Sequence, residues 1–306
     1  MAPILLLKTK STPTDPYSTL LSSHGYTPIF VPVLHHTSIN GDLVREYILN
    51  GSITTTHVKI NNDNNDNSNT QNGIQKFAAI IITSQRAVEA LGAIIDELKP
   101  KNPSQITHLL QTTTIYVVGP ATRNSLLLLG FTPTNIIGES SGNGAVLSDF
   151  IISHYTSNNL QGDLLFLTGE THSTILPTKV PEKLLEEIGR EVEVKEVVVY
   201  KTGVVEGFES DLKGCLEKLE EEEEIKEPIW LVFFSPTGTD AALRVISSHE
   251  SASSSPAVKK YKCCSIGPTT RDFMFQKFGR KADAMAKIPS PDGVLAAIQG
   301  PGGVIG

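Results

Sequence analysis

Short, largely apolar runs recur along the chain at residues 4–7, 78–82, 115–118, 164–167, 229–234 and 262–266. Each is followed by a polar or glycine-containing turn and then by apolar positions at helical spacing. Hydrophobicity that is continuous instead of alternating predicts strands covered on both faces. A helix between successive strands predicts parallel pairing, because a parallel strand needs a crossover connection. The pattern predicts the α/β class, with parallel sheets covered by helices.

Laid side by side, these units repeat. Residues 78–82 lead into Thr83-Ser84-Gln85-Arg86-Ala87 and residues 229–234 into Ser235-Pro236-Thr237-Gly238, so Ser84 and Ser235 hold the same place. Tyr116-Val117-Val118 leads into Gly119-Pro120-Ala121-Thr122-Arg123, and Cys264-Ser265-Ile266 into Gly267-Pro268-Thr269-Thr270-Arg271. The serine and the glycine are 35 residues apart in one copy and 32 in the other. Each copy then reaches a glycine, Gly130 or Gly279, of the kind that ends a helix. A looser match joins 4–33 to 164–199, each a strand, a helix, a glycine (Gly25 or Gly189) and another strand. Two related halves are expected.

Three stretches interrupt the pattern. Residues 61–72 are polar and mostly asparagine, too poor in apolar surface to offset their ordering entropy, and are expected to form a disordered insertion. Residues 247–255 read as a flexible connection between a helix and a strand. The glutamates at 220–224 follow Leu212, Leu216 and Leu219 at helical spacing and read as a solvated helix end with no function.

Composition narrows the classes of function. At 306 residues, 39% apolar and 19% charged, the chain has the make-up of an ordinary globular protein with room for two domains. Its net charge of -7 is the wrong sign for a protein that neutralises nucleic-acid phosphates, so no nucleic-acid partner is expected. Cys263 and Cys264 are adjacent, a poor geometry for a disulfide, and Cys215 is left without an obvious partner. A reducing, cytoplasmic setting is expected. The apolar run at 4–7 falls far short of the ~20 residues of a membrane span, so no membrane association is expected. The histidines are scattered and none stands with cysteine at metal-ligand spacing, so no metal is expected.

Candidate chemistry lies in the turns after the strands: near Lys8, at Ser84, at Gly119 to Thr122, at Thr168-Gly169, at Ser235 and at Gly267 to Thr270. In open α/β sheets this edge takes ligands, and helix N-termini there offer unpaired N–H groups and partial positive charge. Ser84, Thr122, Ser235, Thr269 and Thr270 add hydroxyls, which can equally cap their own helices at ~1 kcal/mol each. Recurrence in two halves favours a cleft lined with anion-binding donors, suited to a molecule with several carboxylates. Two competing motifs are weaker. Gly138-Glu139-Ser140-Ser141-Gly142 matches a hydrolase nucleophile elbow in letters, but only Ile136-Ile137 reads as strand before it and the next helix starts near Ala145. Gly142-Asn143-Gly144 opens a dinucleotide fingerprint whose third glycine position is Leu147, so no nicotinamide cofactor is expected.

In order and spacing, these pieces resemble the uroporphyrinogen-III synthases, the cyclising enzymes of tetrapyrrole biosynthesis. The resemblance rests on Leu5-Leu6-Leu7-Lys8, residues 28–32, Thr83-Ser84-Gln85-Arg86-Ala87-Val88-Glu89-Ala90 and Val117-Val118-Gly119. It continues in Val199-Tyr200-Lys201-Thr202, Phe233-Phe234-Ser235-Pro236-Thr237-Gly238 and Ile266-Gly267-Pro268-Thr269-Thr270, and covers nearly the whole chain outside the insertion. It implies two parallel-sheet α/β domains of related topology that exchange ends: 1–34 with 201–306, and 37–196, joined by a two-stranded linker at 31–36 and 197–201. It also implies that the Ser84 and Gly119 turns face the Ser235 and Gly267 turns across a hinged cleft.

The resemblance further implies hydroxymethylbilane as substrate, uroporphyrinogen III as product, no cofactor, and a protein that acts as a monomer. The substrate-binding residues it implies are Lys8, Thr83, Ser84, Arg86, Gly119, Thr122, Thr168, Gly169, Ser235, Gly238, Thr269 and Thr270. Tyr200 is the implied general acid at the leaving hydroxyl, though an unperturbed phenol, with a pKa near 10, is a weak acid at neutral pH. Two departures stand out. A basic residue common in the family after Thr168-Gly169 would fall near Ser173, and Pro120 removes one backbone donor from the Gly119 turn. Lys8 and Arg86 are candidates to compensate. The alternative is a non-catalytic two-domain binder of a carboxylated small molecule.

Overall fold

The computed structural model describes residues 2–53, 70–71, 74–221, 228–252 and 261–300. The chain begins β1 (Ala2–Leu7), α1 (Pro16–Ser23), β2 (Tyr26–Phe30), β3 (Leu34–Ser38), α2 (Gly41–Leu49), β4 (Thr70–Gln71) and β5 (Ile74–Gln75). It continues with β6 (Phe77–Ile82), α3 (Gln85–Leu98), α4 (Pro103–Thr112), β7 (Thr114–Val117), α5 (Pro120–Leu128), β8 (Ile136–Ile137), α6 (Gly144–Ser157), β9 (Asp163–Gly169) and α7 (Ile175–Ile188). The last part is β10 (Val194–Val204), α8 (Phe208–Glu221), β11 (Ile229–Phe233), α9 (Pro236–Ala252), β12 (Tyr261–Ser265), α10 (Pro268–Phe278), β13 (Ala284–Met285) and α11 (Pro291–Gln299).

Two compact units result, Met1–His35 with Gly203–Gly306, and His36–Thr202. The first holds a sheet in the order β13-β12-β11-β1-β2, parallel throughout. The second holds the order β3-β10-β9-β6-β7-β8, in which the pairs from β10 to β8 are parallel. Without β3 the two orders correspond strand for strand: β11 with β6, β12 with β7, β13 with β8, β1 with β9 and β2 with β10. That is the repeat legible in the sequence, including the looser pairing of 4–33 with 164–199. The chain changes unit twice, once within β3 and once within β10, and Ile39 N–H donates to the Val199 carbonyl at 2.9 Å while Val205 N–H donates to the Val33 carbonyl at 2.9 Å. Residues 31–33, expected in the linker, precede β3 and lie outside any strand.

The central strands are apolar on both faces because both faces are covered. In the first unit, Leu5, Leu7, Leu231 and Phe233 pack toward α8 and α9, while Ile4, Leu6 and Val232 pack toward α1 and α11. In the second, Ile80, Ile82, Leu165 and Leu167 face one side, and Ala79, Ile81, Leu164 and Phe166 the other. Each fully buried Leu, Ile or Phe contributes roughly 1.5–3 kcal/mol relative to exposure, so these strands anchor the turns that follow them.

Two expectations are corrected. Residues 247–252 belong to α9 instead of a flexible connection, with 253–255 outside the described residues. Ser248 and Ser251 turn their hydroxyls onto carbonyls one helical turn back, and Glu250 pairs with Arg280 through both oxygens, which holds a serine-rich segment helical. Glu220 is not a solvated end: its Oε1 accepts from Tyr261 at 2.5 Å and lies 3.1 Å from His249 Nε2. Burial first, and Glu220 second, push the Tyr261 phenol far above its usual range. Residues 222–224 lie outside the described residues, as do 61–69 and 72 of the insertion; Thr70–Gln71 pair with Ile74–Gln75 in a two-residue antiparallel ladder. Among the described residues no helix is long and apolar enough to cross a membrane.

Candidate functional site

In each unit the turns singled out in the sequence fall at the carboxyl ends of β1, β6, β7, β9, β11 and β12. Two kinds of turn are present, and they differ in what they leave free. The serine turns cap themselves. Ser84 Oγ accepts from Ala87 N–H at 3.2 Å at the start of α3, and Ser235 Oγ accepts from Gly238 N–H at 3.1 Å at the start of α9. The Gly238 N–H is therefore spent within the turn, while the Ser84 and Ser235 hydroxyl hydrogens remain donors. Thr83 is half-buried, and Arg86 is exposed and paired with Glu89 one turn along.

The glycine turns leave their helices open. Gly119 and Gly267 are the N-caps of α5 and α10, and neither helix has a side-chain cap. Pro120 and Pro268 stand at the first helical position, where a missing N–H costs nothing because it would be unpaired. The first-turn N–H groups of Ala121 and Thr122, and of Thr269 and Thr270, point out of the helix without an intrahelical acceptor, at its positive end. The Thr122 and Thr270 side chains are buried and the Thr269 side chain is exposed, so the backbone is the main donor in both turns. This Gly-Pro opening is shared by the two units; α2, α4 and α7 of the second unit also start without a side-chain cap.

The third turn of the second unit follows β9. Thr168 and Gly169 are buried. The ladder between β9 and β10 shifts register between Val198 and Tyr200, which brings Tyr200 opposite Gly169. The Tyr200 ring occupies the space a Cβ at 169 would need, so a larger residue there must displace the ring. Glu170 N–H donates to the Tyr200 carbonyl at 3.1 Å, and the His36 ring stands edge-on to the Tyr200 ring at 6.0 Å between centroids. His36 Nδ1 lies 2.9 Å from Thr202 Oγ1.

Lys8 is placed differently from the sequence reading. Its ammonium lies 2.5 Å from Asp15 Oδ2 and within 5.0–5.9 Å of the Tyr17, Phe30 and Phe234 ring centres. Asp15 is buried, caps α1 through the N–H groups of Tyr17 and Ser18, and accepts from Ser11 N–H. Burial works against its charge, but the Lys8 ammonium and the Ser11 and Ser18 N–H groups outweigh it and hold the carboxyl down at about 2. Lys8 thus orders the loop after β1. Lys10 is exposed on that loop, with its ammonium over the Phe30 ring at 5.5 Å from the centre. Asp15 was legible as an acidic residue before Pro16, the signature of a helix start.

The letter match to a nucleophile elbow has no elbow. β8 spans only Ile136–Ile137, Ser140 at the nucleophile position is exposed on a turn, and α6 begins only after Asn143, which caps it through Ala145 and Val146 N–H. Ser173, where the resemblance placed a basic residue, is exposed, and its neighbour His172 folds back onto the turn: Nδ1 lies 2.8 Å from the Gly169 carbonyl and Nε2 contacts Glu196 Oε1. Cys263 and Cys264 are buried and free, and burial raises the two thiols to about 11 and about 12. Among the described residues no group of three or more His, Cys, Asp or Glu is arranged to hold a metal ion.

A doubly covered parallel sheet with helix N-termini at its carboxyl edge, repeated in two units, defines a two-unit α/β protein of the open parallel-sheet class, in which that edge is the usual place for a ligand. Comparison with known proteins makes this specific. The family model described as uroporphyrinogen-III synthase HemD matches residues 15–296. Two relatives named uroporphyrinogen-III synthase are similar along almost their whole length: that of Schizosaccharomyces pombe, 30% identical over 97% of this chain and 96% of its own, and that of Saccharomyces cerevisiae, 32% identical over 97% and 95%. The crystal structure of the Helicobacter pylori uroporphyrinogen-III synthetase shares the fold with a TM-score of 0.51 at 17% identity, covering 96% of this chain and 97% of that one. The chain belongs to the uroporphyrinogen-III synthase family, cyclising enzymes of tetrapyrrole synthesis.

Proposed function

We propose that this protein cyclises hydroxymethylbilane to uroporphyrinogen III, with loss of water and inversion of ring D. The observation that supports the reading is the matched Gly-Pro opening of α5 and α10, the same uncapped turn at the corresponding place in each unit. The substrate is a flexible chain of four pyrroles rimmed by carboxylates. Departure of its terminal hydroxyl leaves an electrophilic azafulvene, and the outcome depends on which ring D carbon meets it. The unaided reaction closes at the free carbon and gives the symmetrical isomer. Closure at the substituted carbon, through a spiro intermediate, gives isomer III. Selection between the two is a problem of orientation, which immobilised carboxylates solve by holding the reacting carbons near ~3–3.5 Å.

In this reading the N–H groups of Ala121, Thr122, Thr269 and Thr270, the Ser84 and Ser235 hydroxyls, and the Lys10 ammonium take the carboxylates. Lys8, Thr83, Arg86, Thr168 and Gly238 shape the turns that present these donors. Contact donors of this kind let a chain of net negative charge hold an anion, since distant surface charges are screened beyond about 8–10 Å. Tyr200, with its ring seated on Gly169, donates a hydrogen bond to the departing hydroxyl. In the same reading the protein acts as a monomer and in a reducing, cytoplasmic setting, the latter supported by its three free cysteines.

Incubation with hydroxymethylbilane, followed by oxidation and chromatographic separation of the porphyrins, tests the proposal. Enrichment of isomer III over isomer I is the expected result. Isomer I alone, with the substrate still bound, would leave only a binder of a carboxylated molecule.

A further inference from the structure

We infer that Arg123 and Arg271, which hold the same place in the two glycine turns, are substrate-binding residues, and that each guanidinium takes one carboxylate of the substrate. Each side chain stands at the carboxyl edge of its own sheet. In the second unit, Arg123 Nε lies 3.2 Å from Oε1 of Glu139, two residues beyond β8. That loop is folded onto the end of β7, where Gly142 N–H donates to the Val118 carbonyl at 2.9 Å. In the first unit, Arg271 Nη1 meets the sulfur of Met285, the last residue of β13, at 3.5 Å.

Both guanidiniums are poorly satisfied. Such a group presents five N–H donors in a planar fork matched to a carboxylate. Arg45 and Arg280 turn theirs onto carboxylates: Arg45 sets Nε and Nη2 on Glu97 and Nη1 on Asp42, and Arg280 sets Nη1 and Nη2 on the two oxygens of Glu250. Arg123 does not. Its Nε faces Glu139 without hydrogen-bond geometry, Nη2 reaches the Pro133 carbonyl at 3.3 Å, and Nη1 has no acceptor among the described residues. Arg271 spends Nε and Nη2 on a single oxygen of its neighbour Asp272, both at 2.8 Å, and leaves Nη1 to a thioether, a weak acceptor. All four side chains are partly exposed, and exposed ion pairs hold their partners weakly. A substrate carboxylate can therefore add at Nη1 or take the place of Glu139 and Asp272.

This inference rests on the proposed reaction and names further residues that grip its substrate. Arg123→Gln and Arg271→Gln should each raise KM for hydroxymethylbilane about tenfold, the loss of one charge-assisted contact, with the urea unfolding midpoint unchanged. The carboxylate partners give the sharper test because they compete with substrate. Glu139→Gln and Asp272→Asn should lower KM about two- to threefold, and Glu139→Gln should lose this effect in the Arg123→Gln background. An arginine that only braces its loop gives the opposite pattern, in which removing either member of the pair raises KM. Wild-type KM in either arginine variant, or a KM raised by Glu139→Gln or Asp272→Asn, would overturn the assignment. Binding of uroporphyrin III, the oxidised form of the product, followed by its absorbance, separates this from the parent reading. If the wild type forms no isomer III yet both arginine variants bind uroporphyrin III about tenfold more weakly, the reaction is withdrawn and the carboxylate grip stands. If isomer III forms and neither KM nor binding responds to the arginines, the grip is withdrawn and the reaction stands.

Discussion

The ring of Tyr200 lies against the α-carbon of Gly169 so closely that any side chain at 169 would collide with it. Gly169 is an end residue of β9 and gains nothing there from conformational freedom; its role is to be small. Gly169→Ala should push the ring out of place, at the 1–3 kcal/mol typical of overpacking a filled site. Tyr200→Ala vacates that space. The double variant should therefore be more stable than the sum of the two single losses predicts, measured by urea unfolding. Simple additivity would mean that the ring yields freely and that the contact does not fix Tyr200.

Tyr200→Phe keeps the ring seated and removes only the hydroxyl. Stability should be unchanged, and kcat for isomer III should fall about tenfold to a hundredfold without reaching the unaided rate. The loss is partial because the phenol serves one step, departure of water, while orientation comes from other groups. Unchanged steady-state kinetics would remove the hydroxyl from the reaction.

Ser84 and Ser235 allow capping to be separated from substrate binding at the same atoms. Alanine at either position removes the cap and should cost about 1 kcal/mol of stability. Aspartate caps as well as serine does but brings a negative charge and no hydroxyl donor. Ser84→Asp and Ser235→Asp should thus match the wild type in thermal unfolding while raising KM for the carboxylate-rimmed substrate severalfold or more. Wild-type KM in both aspartate variants would assign these serines to capping alone.

The fold was legible because the strands that matter are buried on both faces, so runs such as 78–82 and 229–234 announce themselves, and because a duplicated unit states its turns twice. Ser84 and Ser235 stood out for that reason. What the residues at Gly119 and Gly267 leave unpaired was half legible: glycine followed by proline signals a helix start without a side-chain cap. The contact between His172 and Glu196 was not legible, since the two lie 24 residues apart and only the β9–β10 pairing brings them together. What Lys8 rests on was not legible for a related reason. Its sequence neighbours do not reveal that Asp15, seven residues on, folds back to neutralise it. The serine-rich stretch at 247–252 obeyed a contact with Arg280 over its own weak helix propensity.

Lys8 and Asp15 give a stability effect with a definite sign in pH. The Asp15 carboxyl is held at about 2 in the folded protein against 3.8 for the free group. A carboxyl lowered on folding adds stability that is fully present above its unfolded value and is lost as pH falls through its folded value. The lowering corresponds to about 2 kcal/mol. Asp15→Asn retains a side-chain oxygen able to cap α1 but forfeits the ion pair, so its unfolding free energy should fall below that of the wild type by roughly this amount from pH 7 down to about pH 5. The gap should then close between pH 4 and 2, read from urea unfolding at a series of pH values; a gap unchanged at pH 2 would contradict the ion pair as its source. Lys8→Met strands the buried carboxylate without its partner and should be the more damaging change, in the range of about 3–5 kcal/mol found when one member of a buried pair is removed. Lys10→Gln, by contrast, should change stability little and raise KM, because Lys10 is exposed and its ammonium is proposed to take a substrate carboxylate. If Lys8→Met instead melted at the wild-type temperature and only its KM rose, Lys8 would be the binding group and the loop would stand without its clasp on Asp15.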